Sequence, residues 1–297
     1  MSQRTDNSNT VLLVPCFNES NRLSVPAFTN FLVDHPRTIM VFVNDGSTDS
    51  TIQTLESIQQ QVGSGRVKIL TLVQNGGKAE AIRQGMHLVM SGSFQTQYQP
   101  SLIGYMDADL ATPLSEIERL IDIALRRTDV TLVVGSRLAL KGHRVVRTPS
   151  RKFLGRIFAV AVSLTLGIGL KDTQCGAKIF RNGEYLRMVF GEKFSDRWLF
   201  DIEILTRLRS SYAAEVYECP LEEWRDVGSS RLRMRDFMIA PWKLCQLAYT
   251  YRVKPACLRW IRGAKQIQPN DPAAVVSVPI RVNEPIYSAP HARRNTA

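Results

Sequence analysis

Two aspartates, Asp107 and Asp109, follow the short apolar segment 102–106 and are separated by a single alanine. The apolar segment predicts a buried strand, so both carboxylates lie just beyond a strand end and can turn toward one divalent cation. Mg²⁺ and Mn²⁺ take oxygen ligands and bridge readily to substrate phosphates. The same Asp-x-Asp pattern occurs in solvated turns, so its chemistry depends on the residues that the fold places around it.

Polar residues and glycines that suit ligand binding follow three other predicted strands. They are Asn18 and Glu19, Asn44 and Asp45, and the segment 75–78. Within that segment, Gly77 lets the backbone approach a ligand closely, and Lys78 supplies a point charge for phosphate. The spacing is not that of a Walker A loop. The composition around Asn44 and Asp45 also fits a β-turn.

The elements that must position these residues alternate between strands and helices. Strands are predicted at residues 11–15, 39–43, 67–73, 102–106 and 130–134, and helices at residues 22–33, 51–61, 78–90 and 113–127. Buried strands joined by helices of this length predict an α/β fold with a mostly parallel sheet covered on both faces. Ligands of such open sheets bind beyond the carboxyl ends of the strands, where all of these polar candidates lie.

The second half of the chain is less regular. Helices are predicted at residues 151–166, 200–209 and 236–251, and a strand at residues 215–219. We expect one domain over residues 10–263, ending in amphipathic helices. A disordered N-terminus at residues 1–9 and a disordered tail at residues 264–297 are predicted where periodicity is absent.

The net charge of +11 is unevenly spread along the sequence. Residues 130–171 contain no Asp or Glu but eight Lys or Arg residues. Such a block suits an anionic partner, which could be nucleic acid, a phosphate-bearing substrate or an acidic membrane surface. Single cations of the block can also be simply solvated.

Several features bear on the cellular compartment. The five cysteines contain no CxxC pair, which predicts a reducing compartment rather than a disulfide framework or a zinc site. Residues 1–9 lack the apolar region of a signal peptide. The longest uncharged apolar run, residues 157–170, is too short to span a bilayer and predicts a core helix or an interfacial helix. Together these features predict a cytoplasmic protein.

Several motifs in order along the chain carry a resemblance to a known family. They are Pro15-Cys16-Phe17-Asn18-Glu19, Asn44-Asp45-Gly46-Ser47-Thr48-Asp49, Asn75-Gly76-Gly77-Lys78, Asp107-Ala108-Asp109, Gly135-Ser136-Arg137, Asp172-Thr173-Gln174-Cys175-Gly176-Ala177-Lys178, Arg197-Trp198-Leu199-Phe200-Asp201-Ile202-Glu203 and Gly228-Ser229-Ser230-Arg231-Leu232. Together they resemble family 2 glycosyltransferases with the GT-A fold. The later motifs resemble those of dolichyl-phosphate β-glucosyltransferases and their bacterial polyprenyl-phosphate relatives. The resemblance covers roughly residues 10–250.

The resemblance implies an inverting, metal-dependent transfer of a sugar, with glucose expected, from a UDP-sugar to a polyprenyl or dolichyl phosphate. The nucleotide-sugar half would be about residues 10–137 and the acceptor half about residues 138–263. Asp107 and Asp109 would bind Mg²⁺ or Mn²⁺. Nucleotide contacts are implied for Pro15, Phe17, Asn18, Glu19, Asn44, Asp45, Gly77, Lys78, Asp107 and Arg231. The family usually has Asp where this chain has Asn44, which leaves its nucleotide preference open.

The same resemblance makes Asp109, Arg137, Arg151 and Asp201 catalytic candidates. A lipid monophosphate is already a nucleophile, so it needs cations to position it rather than a strong base, and arginine suits phosphate in geometry and charge. Asp201 would be the base if the acceptor were instead a soluble hydroxyl compound. The alternative for Asp201 is a buried structural acid that pairs with Arg197 or Lys178.

Basic residues beside apolar helices, at residues 151–166 and 236–260, predict peripheral docking on the cytoplasmic face of an anionic membrane. A nucleic-acid-binding protein is the alternative from a different class. The basic block contains no recognised nucleic-acid motif and no interleaved stacking aromatics. No nucleic-acid partner is therefore expected.

Overall fold

The main sheet lies between two layers of helices. The computed structural model describes residues 9–91, 99–138, 140–146, 149–211, 214–227, 234–254 and 281–283. The strands are β1 (Thr10–Cys16), β2 (Thr38–Asn44), β3 (Val67–Thr71), β4 (Leu102–Tyr105), β5 (Leu132–Ser136), β6 (Arg144–Val146), β7 (Lys178–Arg181), β8 (Glu215–Pro220), β9 (Glu223–Arg225) and β10 (Arg281–Asn283). The helices are α1 (Val25–Asp34), α2 (Thr51–Val62), α3 (Lys78–Met90), α4 (Leu114–Arg126), α5 (Pro149–Leu166), α6 (Tyr185–Phe190), α7 (Phe200–Ser211) and α8 (Met234–Ala248), and a π-helical turn, Tyr249–Val253, follows α8.

Among the described residues, eight strands form the main sheet in the order β10, β8, β5, β7, β4, β1, β2, β3. Neighbouring strands run parallel except at β7, which is antiparallel to both β4 and β5. The structure thus confirms the mostly parallel α/β sheet predicted from the sequence. No sequence pattern predicts β7, because it has only four residues and begins with a lysine. Strands β6 and β9 form a separate parallel pair.

The central strands of the main sheet contribute to two hydrophobic cores, because alternate side chains point to opposite faces of the sheet. On one face, Leu13 of β1 belongs to a buried cluster with Met86 of α3. On the other face, Leu12 and Phe42 belong to a cluster with Leu55 of α2. All of these side chains are fully buried. The carboxyl ends of the strands are therefore held from both sides, which makes them fixed supports for a site.

Local signals set the starts of the helices. The hydroxyl of Ser24 accepts a hydrogen bond from the N–H of Ala27, and a proline occupies the first turn of α1. Helix α1 therefore begins at Val25, three residues later than the sequence predicts. Helix α4 begins directly after Pro113, close to the predicted start. Strand β5 is shifted toward the C-terminus of its prediction, since a turn that includes Val130 and Arg127 precedes it.

Strand β10 lies within the segment predicted to be a disordered tail. Its residues Arg281–Asn283 pair in parallel with β8. The remainder of that segment and residues 1–8 lie outside the described residues. None of the described helices combines the length and the apolar character that crossing a bilayer requires.

Candidate active site

Asp107 and Asp109 lie beyond the carboxyl end of β4, in the loop that leads to α4. The N–H of Ala111 donates to Asp109 Oδ1 at 3.0 Å, and Leu110 between them has a left-handed backbone with φ of 55°. This conformation is strained for leucine and persists because the surrounding structure holds it. Burial, and then the charge of Asp107, raise the pKa of Asp109. The two carboxylates therefore repel each other, and a nearby cation relieves that repulsion.

Asp107 is held between a lysine and a glycine. Lys78, the first residue of α3, forms an ion pair with Asp107 Oδ1. Asp107 Oδ2 packs against Gly176, where any Cβ atom would overlap it. Burial acts to lower the pKa of Lys78, but the carboxylates of Asp107 and Asp201 raise it overall. The Lys78 side chain is 33% exposed and that of Asp107 is 34% exposed, so this charged pair is open to solvent.

A divalent cation fits these carboxylates if the substrate completes its coordination. Within the described ranges of the chain, no group of three or more His, Cys, Asp or Glu residues is arranged to hold a metal ion. Mg²⁺ is commonly bound by one or two carboxylates together with substrate phosphates, and Asp107 and Asp109 can supply that share. The ion pair of Lys78 with Asp107 shows that a positive charge is stabilised beside this carboxylate. The donor set therefore matches the cation that the sequence predicts.

Asp45 fixes the glycine loop that precedes α3. Its carboxylate accepts hydrogen bonds from the N–H of Gly76 at 2.7 Å, from the N–H of Gly77 at 2.8 Å and from the side-chain amide of Asn75 at 3.0 Å. Asp45 is 2% exposed, and burial raises its pKa although the two N–H groups act to lower it. The resemblance implies a nucleotide contact for this acid. In the structure, both of its oxygens are engaged by the loop that positions Lys78.

Hydrogen bonds join the loop after β1 to the loop after β2. Asn18 has φ of 52°, its Oδ1 accepts from the N–H of Thr48 at 2.9 Å, and its own N–H donates to Ser47 Oγ at 3.1 Å. Asn44 is buried, and its Oδ1 accepts from the N–H of Ser47 at 3.1 Å. The neutral side chain at position 44 thus closes the turn that the sequence predicts. The other predicted residues here are half-buried: Pro15 near the end of β1, and Phe17 and Glu19 in the loop after it.

Asp201 lies on α7, and its carboxylate is sealed from solvent. Its Oδ1 accepts hydrogen bonds from Lys178 Nζ at 2.6 Å and from the hydroxyl of Tyr105 at 2.5 Å. The Lys178 side chain is 0% exposed, and its Nζ also donates to the carbonyl oxygens of Thr173 at 3.3 Å and Cys175 at 2.8 Å. This is one of the two structural pairings that the sequence allows for Asp201. A carboxylate so engaged is poorly placed to take a proton from a substrate.

Arg137, the residue after β5, makes a two-point ion pair with Asp172. Its Nε and Nη2 atoms donate to the carboxylate at 2.7 and 2.8 Å, and its guanidinium lies 5.6 Å from the ring centroid of Trp224. A cavity of about 90 Å³ beside it is also lined by Arg156 and Lys171. Neither of these two side chains forms an ion pair with any residue that the structure describes. We call this space, lined by Arg137, Arg156 and Lys171, the basic cavity.

One loop, residues 171–177, borders both the carboxylates and the basic cavity. At one end, Glu218 of β8 accepts from the backbone N–H groups of Lys171 at 3.0 Å and Asp172 at 2.8 Å. At the other end, Gly176 packs against Asp107, and Lys178 holds the carbonyls between them. The loop therefore fixes the acidic and basic parts of the site relative to each other.

Comparison with known proteins identifies the family. Residues 11–186, which extend from β1 to the start of α6, match the family model described as Glycosyl transferase family 2. The chain belongs to this glycosyltransferase family. It is 31% identical over 255 residues to a dolichyl-phosphate beta-glucosyltransferase of Trichomonas vaginalis, which covers 82% of this chain and 72% of that protein. It is 30% identical over 246 residues to the dolichyl-phosphate beta-glucosyltransferase of Homo sapiens, which covers 74% of this chain and 68% of that protein.

Solved structures share the fold of this family 2 glycosyltransferase at low sequence identity. One is a glucosyl-3-phosphoglycerate synthase from Mycobacterium tuberculosis in complex with Mn²⁺, UDP and glucosyl-3-phosphoglycerate. It aligns with a TM-score of 0.56 and 14% identity, over 82% of this chain and 80% of that chain. The predicted GT-A fold is thereby confirmed.

A larger cavity of this family 2 glycosyltransferase, of about 420 Å³, is not predicted by the sequence. It is lined by Leu72, Val73, Gln74, Asn75, Gly76, Ala79, Glu80, Gln84, Lys193, Phe194, Asp196 and Arg197. Arg197 connects it to the site, because this side chain borders Gly77 and its charge acts on Asp45. The motif that contains Arg197 is visible in the sequence. Its place beside the glycine loop depends on long-range packing, which no local pattern reports.

Two predicted arginines of this glycosyltransferase stay predictions. Arg151 lies in α5, but its side chain is outside the described part of the structure. Arg231 lies outside the described residues altogether.

Proposed function

We propose that this protein transfers glucose from UDP-glucose to the phosphate of a polyprenyl or dolichyl lipid, with inversion at the sugar carbon and with Mg²⁺ or Mn²⁺. The observation that carries the proposal is the division of charge across the loop 171–177. Carboxylates that suit a cation and a leaving diphosphate lie on one side of it, and the basic cavity lies on the other. The names of the similar proteins support glucose and dolichyl phosphate as the substrates.

In the proposed reaction, an oxygen of the lipid phosphate attacks C1 of glucose from the side opposite the leaving group. A bond forms between C1 and that oxygen, while the bond from C1 to the β-phosphate oxygen of UDP breaks and UDP departs with the electron pair. No proton has to move, because the lipid phosphate already carries a charged oxygen. The engagement of Asp201 by Lys178 and Tyr105 agrees with a reaction that needs no base at this position.

On the donor side, the residues hold charge in fixed places. A bound divalent cation would offset the negative charge that grows on the leaving UDP, and Asp107 and Asp109 would be its protein ligands. The strained turn at Leu110 keeps these carboxylates beyond the end of β4. The hydrogen bonds of Asp45 keep the glycine loop, and with it the first residue of α3, close to Asp107.

On the acceptor side, the basic cavity would receive the lipid phosphate. Arg137 is already oriented by Asp172 and by the ring of Trp224, so it loses little freedom when it binds an anion. Arg156 and Lys171 add positive charge to the same cavity, and neither forms an ion pair with a described acid. This charge would offset the repulsion between an incoming phosphate and the diphosphate of the donor.

Two packed helices present apolar side chains to solvent, and one of them lines the basic cavity. The exposed side chains are Phe153, Ile157, Val160 and Leu164 on α5, and Trp242, Tyr249 and Val253 on α8 and the turn after it. We call this surface the apolar face. An apolar helical face with cations beside it suits the headgroup region of an anionic bilayer. Docking of the apolar face on the cytoplasmic side of a membrane would bring the lipid phosphate to the basic cavity.

A transfer assay tests the reaction. The protein is incubated with polyprenyl phosphate and with UDP-glucose, UDP-GlcNAc or GDP-mannose, in the presence of Mg²⁺ or Mn²⁺. We expect a glucosylated lipid phosphate from UDP-glucose, and loss of product when EDTA removes the cation. Absence of product with every donor would overturn the proposal. Product with a soluble hydroxyl compound, but none with polyprenyl phosphate, would identify the acceptor as a hydroxyl group.

Vesicle co-sedimentation tests the membrane part. Binding to vesicles that contain phosphatidylglycerol is expected to exceed binding to pure phosphatidylcholine. The variant Leu164→Glu, which alters a side chain that is 78% exposed, is expected to weaken binding about tenfold, because it replaces an inserted leucine by a charge. Val33→Glu is the matched control, since Val33 is 70% exposed on α1 and lies outside the apolar face. Equal binding by both variants would contradict docking through this face.

A further inference from the structure

Lys78 occupies one of the two carboxylate oxygens of Asp107 that could bind a cation. The other oxygen, Oδ2, lies against Gly176 on the side where a Cβ atom would overlap it. Oδ1 is the atom with which Lys78 forms its ion pair. A cation that approaches Oδ1 therefore meets the ammonium group of Lys78. Two like charges at ion-pair distance from one oxygen repel strongly, so the cation and Lys78 compete.

Lys78 is able to move, but only if another anion receives it. Its side chain is 33% exposed, and a lysine stem rotates freely about four carbons. Its ammonium lies 5.8 Å from the ring centroid of Phe200, a contact far weaker than an ion pair. An ammonium displaced from Asp107 by a cation would lie beside that cation without an anion of its own, and the two positive charges would repel each other. A diphosphate bound beside Asp107 would provide the new partner.

We propose that Lys78 is a resident counter-ion of Asp107 that makes divalent-cation binding depend on the donor diphosphate. The inference rests on the proposed function, because the diphosphate of the nucleotide sugar is the group that receives the lysine. Without nucleotide, Lys78 neutralises Asp107 and keeps its affinity for the cation low. With nucleotide, the ammonium turns to the phosphate oxygens and Oδ1 becomes free for the cation. Cation and diphosphate then raise each other's affinity by the same factor.

Mn²⁺ binding, followed by electron paramagnetic resonance and by calorimetry with and without UDP, tests this dependence. In the native protein we expect UDP to tighten Mn²⁺ binding about tenfold or more. In Lys78→Met we expect Mn²⁺ alone to bind about tenfold more tightly than in the native protein, while UDP alone binds more weakly. The gain that UDP gives to Mn²⁺ binding shrinks accordingly. A variant that had lost its fold would lose both ligands, so the opposite signs separate the two cases.

Lys68→Met is the matched control, because Lys68 is a half-buried lysine on β3 with no ion pair to a described residue. It removes the same charge and is expected to leave both affinities unchanged. An equal shift in the control would assign the effect to net charge and overturn the role of Lys78. Unchanged or weaker binding of Mn²⁺ alone in Lys78→Met would overturn it as well. If the native protein bound neither UDP nor Mn²⁺, the proposed function itself would fail.

Discussion

Two lysine–aspartate pairs lie in and beneath the same site and differ in their access to solvent. The side chains of Lys178 and Asp201 are 0% and 6% exposed, whereas those of Lys78 and Asp107 are 33% and 34% exposed. Lys178 has further fixed partners in two backbone carbonyls, and Asp201 has one in Tyr105. The open pair is flanked by an aromatic ring and a glycine. The same two functional groups thus form a structural ion pair at Lys178 and Asp201, and an ion pair whose partners can be exchanged at Lys78 and Asp107.

The difference follows from what each pair would leave behind if one partner were lost. A buried charge without its partner is strongly destabilising, by about 3–5 kcal/mol. A partly exposed charge is solvated, so such a pair contributes only about 0–1 kcal/mol. A ligand can therefore displace one partner of the second kind of pair with little effect on the fold, since little stability depends on that pair. The following predictions test this distinction.

The largest effect is expected when one partner of the buried pair, Lys178 with Asp201, is removed. Lys178→Met leaves Asp201 buried without its cation, and we expect the free energy of unfolding to fall by about 3–5 kcal/mol, measured by urea denaturation. Lys78→Met is the control at the open pair and is expected to lose no more than about 1 kcal/mol. The double variant Lys178→Met with Asp201→Asn should recover part of the loss, because the uncompensated charge is gone. Equal losses for the two lysines would break the comparison.

The next effect concerns activity without stability. We expect Asp107→Asn to lower kcat/KM for transfer about 10²–10³-fold, as for removal of other groups that stabilise developing charge, with little change in the urea midpoint. Asp122→Asn is the control, since Asp122 is a 52% exposed acid on α4 that pairs with Arg126. If Asp107→Asn lost stability together with activity, the pair of Lys78 and Asp107 would also be needed to stabilise the fold.

A smaller effect is expected at the glycine that supports Asp107. Gly176→Ala would push against Asp107 Oδ2, and we expect Mn²⁺ affinity in the presence of UDP to fall about 10–100-fold, as for other residues that orient a metal ligand. Gly65→Ala provides the comparison, because nothing lies within 4 Å of a Cβ atom at that position. Calorimetric titration distinguishes the two. Unchanged affinity in Gly176→Ala would mean that Asp107 has room to move.

The smallest effect comes from an acid that is held by neutral donors alone. Burial acts to raise the pKa of Asp49, but hydrogen bonds from Thr51 and Ser20 lower it from 3.8 to about 2. A lowered pKa stabilises the fold above pH 3.8, and this contribution disappears as the pH falls toward 2. The melting temperature is expected to fall as the pH is lowered from 6 to 2, and to fall less steeply in Asp49→Asn. An identical pH dependence in the variant would assign the effect to other acids.

The sequence predicted much of the fold because the strands are continuous apolar runs that helices separate. It also placed Asp107 and Asp45 at the carboxyl ends of strands, and Lys78 at the start of a helix, where the structure has them. Their mutual contacts were beyond its reach. The position of Gly176 against Asp107 depends on β7, a four-residue strand inserted antiparallel between β4 and β5. No periodicity marks a strand that short.

Two acids show why residue types alone do not settle roles. The sequence left Asp201 open between a base and a buried partner of a basic residue, and burial beside Lys178 could be seen only in three dimensions. For Asp45 the resemblance implies a nucleotide contact, which stays a prediction, and in the structure its oxygens accept hydrogen bonds from the glycine loop. The packing of segments that are distant in sequence determines what each carboxylate contacts.

Strand β10 has a consequence for how the chain behaves outside the site. Because Arg281–Asn283 pair with Glu215–Tyr217, they cover the outer edge of β8. An uncovered edge presents unpaired N–H and C=O groups and is a template for strand pairing with another copy. A chain that ended before Arg281 would therefore expose the edge of β8, which could pair with a strand of another copy. Among the described residues the sheet then ends at β10, whose three residues offer few free backbone groups for pairing with another copy.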